Sequence, residues 1–324
     1  MRGLFFDGSQ VTFRQDLPAP SPRPGEAIIR VRLAGLCQTD LEIAQGYMGF
    51  RGILGHEFVG TVTAAGSGAD NRWIGKRVCG EINCVCGVCA MCRRGLQTHC
   101  LQRTVLGILN HDGAFAEFVR LPVKNLHAVP ASVSDEQAVF VEPLAAAFQV
   151  LRQIEIPADA RVMVLGDGRL GQLVARVLAH KLAEVTLVGR HPEKLELAAN
   201  ACGKKLCAVL AEEIKPGHDQ DVVVECTGRV EGFEAALAHL RPRGTLVLKT
   251  TVAAGKPLNL APIVIDEITV VGSRCGPFPD ALQALADGEI DVLPLISRRA
   301  TLESATDFFR PGAMNGLLKV IFEL

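Results

Sequence analysis

The chain lacks an excess of charge of either sign. It carries 34 Lys and Arg against 35 Asp and Glu, a formal net charge of −1 at pH 7. No long run of like charge appears, so nothing points to a nucleic-acid or membrane surface. Long apolar stretches are also missing, because charges or glycines interrupt each one well short of a membrane span. The first residues, MRGLFFDGSQ, lack the apolar core of a secretory signal. Low-complexity segments and repeats with a period of about 20–50 residues are absent. These absences read as a soluble cytoplasmic protein with neither nucleic acid nor membrane as a partner.

What is present is more specific. With 324 residues, 48% of them hydrophobic, the chain can bury a large core, and two domains are expected. Eleven cysteines in a chain without a signal argue for thiols and metal rather than a disulfide framework.

The stretch Arg161–His180, RVMVLGDGRLGQLVARVLAH, opens with an apolar run suited to a buried strand. It closes with Leu170, Leu173, Val174 and Val177 at helical spacing. Between them lies Gly166-Asp167-Gly168-Arg169-Leu170-Gly171. In such a strand–loop–helix turn Gly166 permits the tight turn, Gly168 lets a pyrophosphate approach the backbone, and Gly171 lets the helix pack on the strand. The N–H groups at the helix start then face an anion. Arg169 is either a further phosphate contact or a solvated residue of the helix start.

Strands follow at 184–188, 206–209, 221–225, 244–249 and 268–272, after the first at 161–165. Helical patterns at 169–182, 192–202 and 230–240 lie among them. Alternation of this kind predicts an α/β domain with a doubly wound parallel sheet. The end of its second strand is informative. An NAD site would place Asp or Glu there, whereas this chain has Gly189, then Arg190 and, four residues on, Lys194. An acid would repel a 2′-phosphate, and Arg can grip one with a charge-assisted fork. NADP(H) is therefore expected over NAD(H).

The N-terminal part reads as an all-β unit of short strands, with Glu26–Leu33, Val59–Thr63, Arg77–Cys79 and Ala116–Leu121 the clearest. Two metal-ligand groups sit on it. Cys86, Cys89, Cys92 and Cys100 form a C-x2-C-x2-C-x7-C run, which fits the closed tetrahedral shell of a structural zinc. Cys84 lies just outside that frame and receives no role. The second group is dispersed: Cys37, His56 and Glu142 are donors suited to a catalytic zinc, which keeps one position open. Taken singly each has an ordinary reading, as a buried thiol, a satisfied core histidine and a helix N-terminal acid.

Together these motifs resemble the zinc-dependent medium-chain alcohol dehydrogenase family. The resemblance runs over essentially the whole chain and in order: Gly-x-Cys-x-Thr-Asp at 35–40, Gly-His-Glu at 55–57, the four-cysteine lobe at 86–100, Asp-Gly-Ala-Phe-Ala-Glu-Phe at 112–118, Glu-Pro-Leu at 142–144 and the glycine loop. Glu-Pro-Leu is most similar to the sorbitol (polyol) and threonine dehydrogenase branch. The resemblance implies a Rossmann domain, 146–274, inserted into a mainly β GroES-like catalytic domain, 1–145 and 275–324. It implies Cys37 and His56 as catalytic-zinc ligands, with Glu57 and Glu142 the carboxylates near the metal, one bound directly and the other directly or through water. Asp40 would hold the His56 imidazole, and Thr39 would bond the substrate oxygen and begin a proton path. Gln38 departs from the Arg or His that many members place near the cofactor phosphates. Thr227, Lys249 and Arg274, at the ends of the fourth, fifth and sixth strands, match positions beside the cofactor.

The implied activity is reversible oxidation of a secondary alcohol or polyol to a ketone, with hydride transfer to NADP+ or NAD+ and zinc as Lewis acid. A homodimer or homotetramer is expected from the family. Tyr47, Met48, Phe50, His111 and Phe115 are candidate pocket residues. Rival readings are a quinone reductase-type NADPH oxidoreductase, which should lack the metal ligands, and a non-catalytic NADPH sensor. A zinc-finger nucleic-acid binder conflicts with the neutral charge. From 276 the strand–helix rhythm ends, with a short helix at 281–286 and strands at 293–298 and 317–322.

Overall fold

The alternating stretch that begins at Glu26 becomes the strand Glu26–Gly35, around which the first of two units is built. The computed structural model describes residues 1–182, 184–251 and 257–324. One unit comprises Met1–Glu142 with Leu295–Leu324, the other Pro143–Pro294.

In the first unit Ala27, Ile29 and Val31 are buried while Arg30 and Arg32 are exposed, the period-two pattern of a strand with one covered face. Glu57–Ala65 runs antiparallel along one edge and pairs Glu57 with Gly35. The other edge is shared: Phe118–Pro122 takes its first half and Lys319–Glu323 its second, with Ile321 opposite Gly35. Arg77–Gly80 and Leu126–Ala128 extend the sheet on one side and Ile296–Thr301 on the other. Gly3–Phe6 lies between Val11–Arg14 and Gly52–Ile53 in a smaller sheet. The register brings Glu57, Gly35 and the strand bearing Lys319 to one place.

The second unit is a six-stranded parallel sheet. Its order is Leu206–Leu210, Val185–Gly189, Val162–Leu165, Gln220–Glu225, Leu240–Leu248, Thr269–Gly272. Chain order reverses between Val162–Leu165 and Gln220–Glu225, the switch point where such sheets bind ligands. All four residues of Val162–Leu165 are buried, as expected of a strand covered on both faces. Helices Arg169–Lys181, Pro192–Cys202 and Glu231–His239 occupy the expected positions.

One expected boundary is corrected. Residues 275–294, assigned from the sequence to the catalytic domain, belong with the second unit. The reason is packing. A Cβ at Gly276 would collide with the Ala145 carbonyl, Asp280 pairs with Arg152 at 2.6 Å, and the Asp291 carbonyl accepts from Arg176 Nη1 at 3.0 Å. The C-terminal strands are also shifted: a 3₁₀ turn occupies Leu293–Leu295, and the strands proper are Ile296–Thr301 and Lys319–Glu323. Among the described residues no helix is long and apolar enough to cross a membrane.

Candidate metal centre and cofactor site

The four-cysteine run folds into a small lobe between the strand Asn83–Cys84 and its partner Thr104–Val105. Cys89 precedes the helix Ala90–Arg93, which carries Cys92. The Sγ atoms of Cys89 and Cys92 are 3.6 Å apart, those of Cys89 and Cys100 3.7 Å, and those of Cys100 and Cys86 3.6 Å. Sulfurs held about 2.3 Å from one tetrahedral zinc lie about 3.8 Å from each other, whereas a disulfide needs about 2.05 Å. The spacing therefore fits a metal cage and not a cross-link. Backbone N–H groups of Cys89 and Gln102 point at the sulfurs of Cys86 and Cys100, each at 3.4 Å. Backbone N–H bonds from Cys92 and Leu101 hold the Cys89 thiol down to about 6, which prepares a thiolate for a cation. Burial pushes the Cys84 thiol up to about 11. It stays a neutral, half-buried group outside the four-sulfur cluster.

Cys37, His56 and Glu57 form a second group whose donor atoms all lie within 4.8 Å of one another. Cys37 stands just before the helix Gln38–Ala44, and His56 and Glu57 are where the chain enters the strand Glu57–Ala65. Asp40 ties the two segments together. Its Oδ2 accepts the Cys37 N–H at 2.9 Å and its Oδ1 accepts the Gly55 N–H at 3.2 Å. Asp40 is fully buried and its Oδ1 lies 3.2 Å from His56 Nδ1. That approach is out of line for a hydrogen bond, so the buried Nδ1 has no hydrogen-bond partner. Burial alone would lower the His56 pKa, but the negative charges of Asp40 and Cys37 hold it well above its ordinary value. The pocket thus favours a cation at the imidazole, and a soft thiolate with an imidazole and a carboxylate suits zinc. Thr39 Oγ1 is 3.7 Å from Cys37 Sγ.

Glu57 is only 1% exposed and is ion-paired with Lys319, equally buried. The Lys319 ammonium also stands 5.4 Å from the Phe140 ring centroid. Gly35 makes this possible, since a Cβ there would lie 2.7 Å from Glu57 Oε2 and 3.3 Å from Lys319 Nζ. The sequence reading missed Lys319. Its signal was a lone charge in the apolar run Leu317–Phe322. Glu142 sits half-buried in the first turn of Val141–Gln153, outside the three-residue group. Phe115, a candidate pocket residue, is fully buried and packs edge-on to Phe322 at 5.1 Å between centroids. Phe50 is likewise buried.

In the second unit the glycine loop joins Val162–Leu165 to the helix Arg169–Lys181, with Gly168 immediately before it. Gly166 has φ +110°, a conformation that favours glycine. No atom stands within 4 Å of where a Gly168 Cβ would be, so the loop backbone is open there. A Cβ at Gly171 would collide with the Gly166 carbonyl. These features fit a pyrophosphate at the helix start.

The remaining cofactor candidates divide. Arg190 is exposed at the end of Val185–Gly189, whereas Lys194 is largely buried and its carbonyl accepts from Gln172 Nε2 at 2.7 Å. Thr227 N donates to Glu225 Oε1 at 2.7 Å. Lys249 Nζ is turned inward, donating to the Ala146 carbonyl at 2.6 Å and Ser273 Oγ at 3.1 Å. Arg274 is exposed, with Nη1 3.2 Å from Cys275 Sγ.

Comparison with known proteins agrees with this geometry. Residues 23–131 match the alcohol dehydrogenase GroES-like domain and residues 170–287 the zinc-binding dehydrogenase family. A sorbitol dehydrogenase of Halalkalibacterium halodurans is 30% identical over 89% of this chain and 88% of its own. An L-threonine 3-dehydrogenase of Streptomyces avermitilis is 31% identical over 88% and 87%. Among solved structures, a zinc-binding dehydrogenase of Sinorhizobium meliloti bound to NADP superposes with a TM-score of 0.89 at 27% identity, covering 100% of this chain and 99% of that one. An alcohol dehydrogenase of Thermus sp. ATN1 gives 0.88 at 28%, with the same coverage. The fold is thus a GroES-like unit with a Rossmann unit, the architecture of a zinc-type oxidoreductase. The chain belongs to the zinc-dependent medium-chain alcohol dehydrogenase family, whose members act on small-molecule alcohols.

Proposed function

We propose that this enzyme reversibly oxidises a secondary alcohol or polyol to a ketone and uses NADP+ in preference to NAD+. The observation that carries the reading is the Cys37–His56–Glu57 group, braced by the fully buried Asp40. These three residues would hold a catalytic zinc, with Glu142 a further carboxylate near the metal, and Cys86, Cys89, Cys92 and Cys100 a structural one. When bound, the catalytic zinc supplies Lewis acidity at the alcohol oxygen and the nicotinamide accepts a hydride. The chain's own residues do the rest. Asp40 fixes the approach of Cys37 to His56, a role whose loss typically costs about 10–100-fold in metal affinity. Thr39 offers a hydroxyl beside Cys37 that orients the substrate and hands on its proton. In the second unit Gly166, Gly168, Arg169, Leu170 and Gly171 would cradle the pyrophosphate. Exposed Arg190, following Gly189, would grip the 2′-phosphate.

The names of the relatives support a polyol or hydroxy-substituted substrate: sorbitol, erythritol or L-threitol, and L-threonine. The test is a panel of alcohols and polyols with both cofactors, before and after chelation. A polyol or secondary alcohol should react with a kcat/KM for NADP+ at least about tenfold above that for NAD+, on the scale of one charge-assisted contact. Chelation should abolish the reaction. A clear preference for NAD+, or turnover that survives loss of the metal, defeats the corresponding part of the reading.

We also propose a homodimer formed through the outer edge of the second unit. Leu258 and Leu260, just before the helix Ala261–Ile265, Val264 and Ile265 within it, and Val270 on the end strand Thr269–Gly272 are all exposed. Apolar patches of this kind mark association surfaces. Replacing Val264 and Ile265 with Asp should convert a dimer to a monomer in sedimentation equilibrium; an unchanged mass rules this edge out.

A further inference from the structure

The end of the second strand has no acid of its own, yet an acid occupies the space where one would stand. Asp167, inside the glycine loop, reaches across to the turn after Val185–Gly189. A Cβ at Gly189 would collide with its carboxylate. Asp167 Oδ2 accepts the N–H groups of both Arg190 and His191 at 2.8 Å. His191 Nδ1 lies 3.1 Å from Oδ1 and 3.0 Å from Oδ2. Asp167 is only 6% exposed. Its oxygens are thus engaged by the protein rather than offered to a ribose, while the Arg190 side chain is exposed.

We propose that Asp167 sets the choice of nicotinamide cofactor as a positioning residue. It pins the Gly189–His191 turn so that Arg190 and His191 face a 2′-phosphate, and it closes the strand end to an acid that would read a ribose diol. The inference rests on the NADP reading above. It explains two features with one contact. Gly189 is small because the Asp167 carboxylate fills the volume beyond it, and the turn is rigid because one carboxylate oxygen binds two consecutive N–H groups. The charge of Asp167 does not meet the phosphate directly, because those donors and the His191 ring surround it.

The test measures dissociation constants of NADPH and NADH by nicotinamide fluorescence on the zinc-loaded protein, with displacement by 2′,5′-ADP and by ADP. Asp167→Ala should weaken NADPH and 2′,5′-ADP about tenfold, the scale of one charge-assisted contact, and leave NADH and ADP within about twofold. Asp167→Asn, the milder change, should move the ratio in the same direction. Moving the acid back to the strand, as Asp167→Ala with Gly189→Asp, should turn the preference toward NADH. A general loss of folding would weaken all four ligands alike, so the ratio separates positioning from stability. An unchanged NADPH-to-NADH ratio in the Ala and Asn variants overturns the role of Asp167 while leaving the NADP reading intact. A wild-type protein that binds NADH more tightly, and loses it on Asp167→Asn, overturns both.

Discussion

Cys37→Ser is expected to leave a folded protein that has lost about a thousandfold in kcat/KM. A Lewis acid at the reacting oxygen supplies several kcal/mol of transition-state stabilisation, and about 1.4 kcal/mol corresponds to a factor of ten. Serine keeps the size of the side chain, but its hydroxyl is not a thiolate and binds zinc poorly at neutral pH. The Asp40 bonds to the Cys37 and Gly55 N–H groups use only backbone at those positions, so they survive the change. Zinc content should fall from two per chain to one, since the four-sulfur lobe is untouched. Cys92→Ser should behave differently. That thiol belongs to a closed cage, whose metal contributes to folding itself. The lobe around 86–100 should become protease-sensitive, with activity falling in step with folded protein. If Cys37→Ser retains full activity, the metal chemistry assigned to the first unit is wrong.

Lys319→Met should lower the stability of the first unit by about 3–5 kcal/mol, the usual cost of stripping one partner from a buried ion pair. The Glu57 carboxylate would be left in a site 1% exposed to solvent, with no compensating ammonium. Removing both charges is another matter. Lys319→Met with Glu57→Gln leaves no isolated charge, and neutral replacements of buried pairs are often tolerated. Most of the loss should therefore be recovered. The single tryptophan, Trp73, lies in the 3₁₀ turn Gly68–Trp73 of the first unit, so its fluorescence in a urea titration reports the right domain. Equal midpoints for the single variant and the wild type would mean that the pair contributes nothing. A double variant no better than the single one would place the cost in lost packing against Phe140.

The sequence disclosed what is carried by neighbours. The cysteines at 86–100 and the glycines at 166–171 each fall within one local segment, so spacing alone displays the chemistry. The central strands of the second unit were readable because buried parallel strands are near-continuous apolar runs, as Val162–Leu165 is, and the strand–helix alternation placed the outer ones. What stayed hidden depends on partners far apart in the chain. Lys319 meets Glu57 across 262 positions, and only strand register brings them together. Asp167 meets Arg190 across 23 positions, so it passed as a spacer among glycines. The end of the strand–helix rhythm at 276 marked a change of local structure. It did not mark the change of unit, because Gly276, Asp280 and Asp291 still pack on the helices before them. Nor can a sequence show that Gly55 lies against the Phe115 ring.

The late arrival of Lys319 has a consequence for biosynthesis. Cys37, His56 and Glu57 leave the ribosome early, and the ammonium opposite Glu57 follows only after the entire nucleotide-binding unit has been made. Until then the nascent carboxylate lacks the ammonium it is paired with in the folded chain. A fragment that ends before Lys319 should therefore leave Glu57 without its buried partner, and the first unit should complete its fold only when the strand Lys319–Glu323 is added.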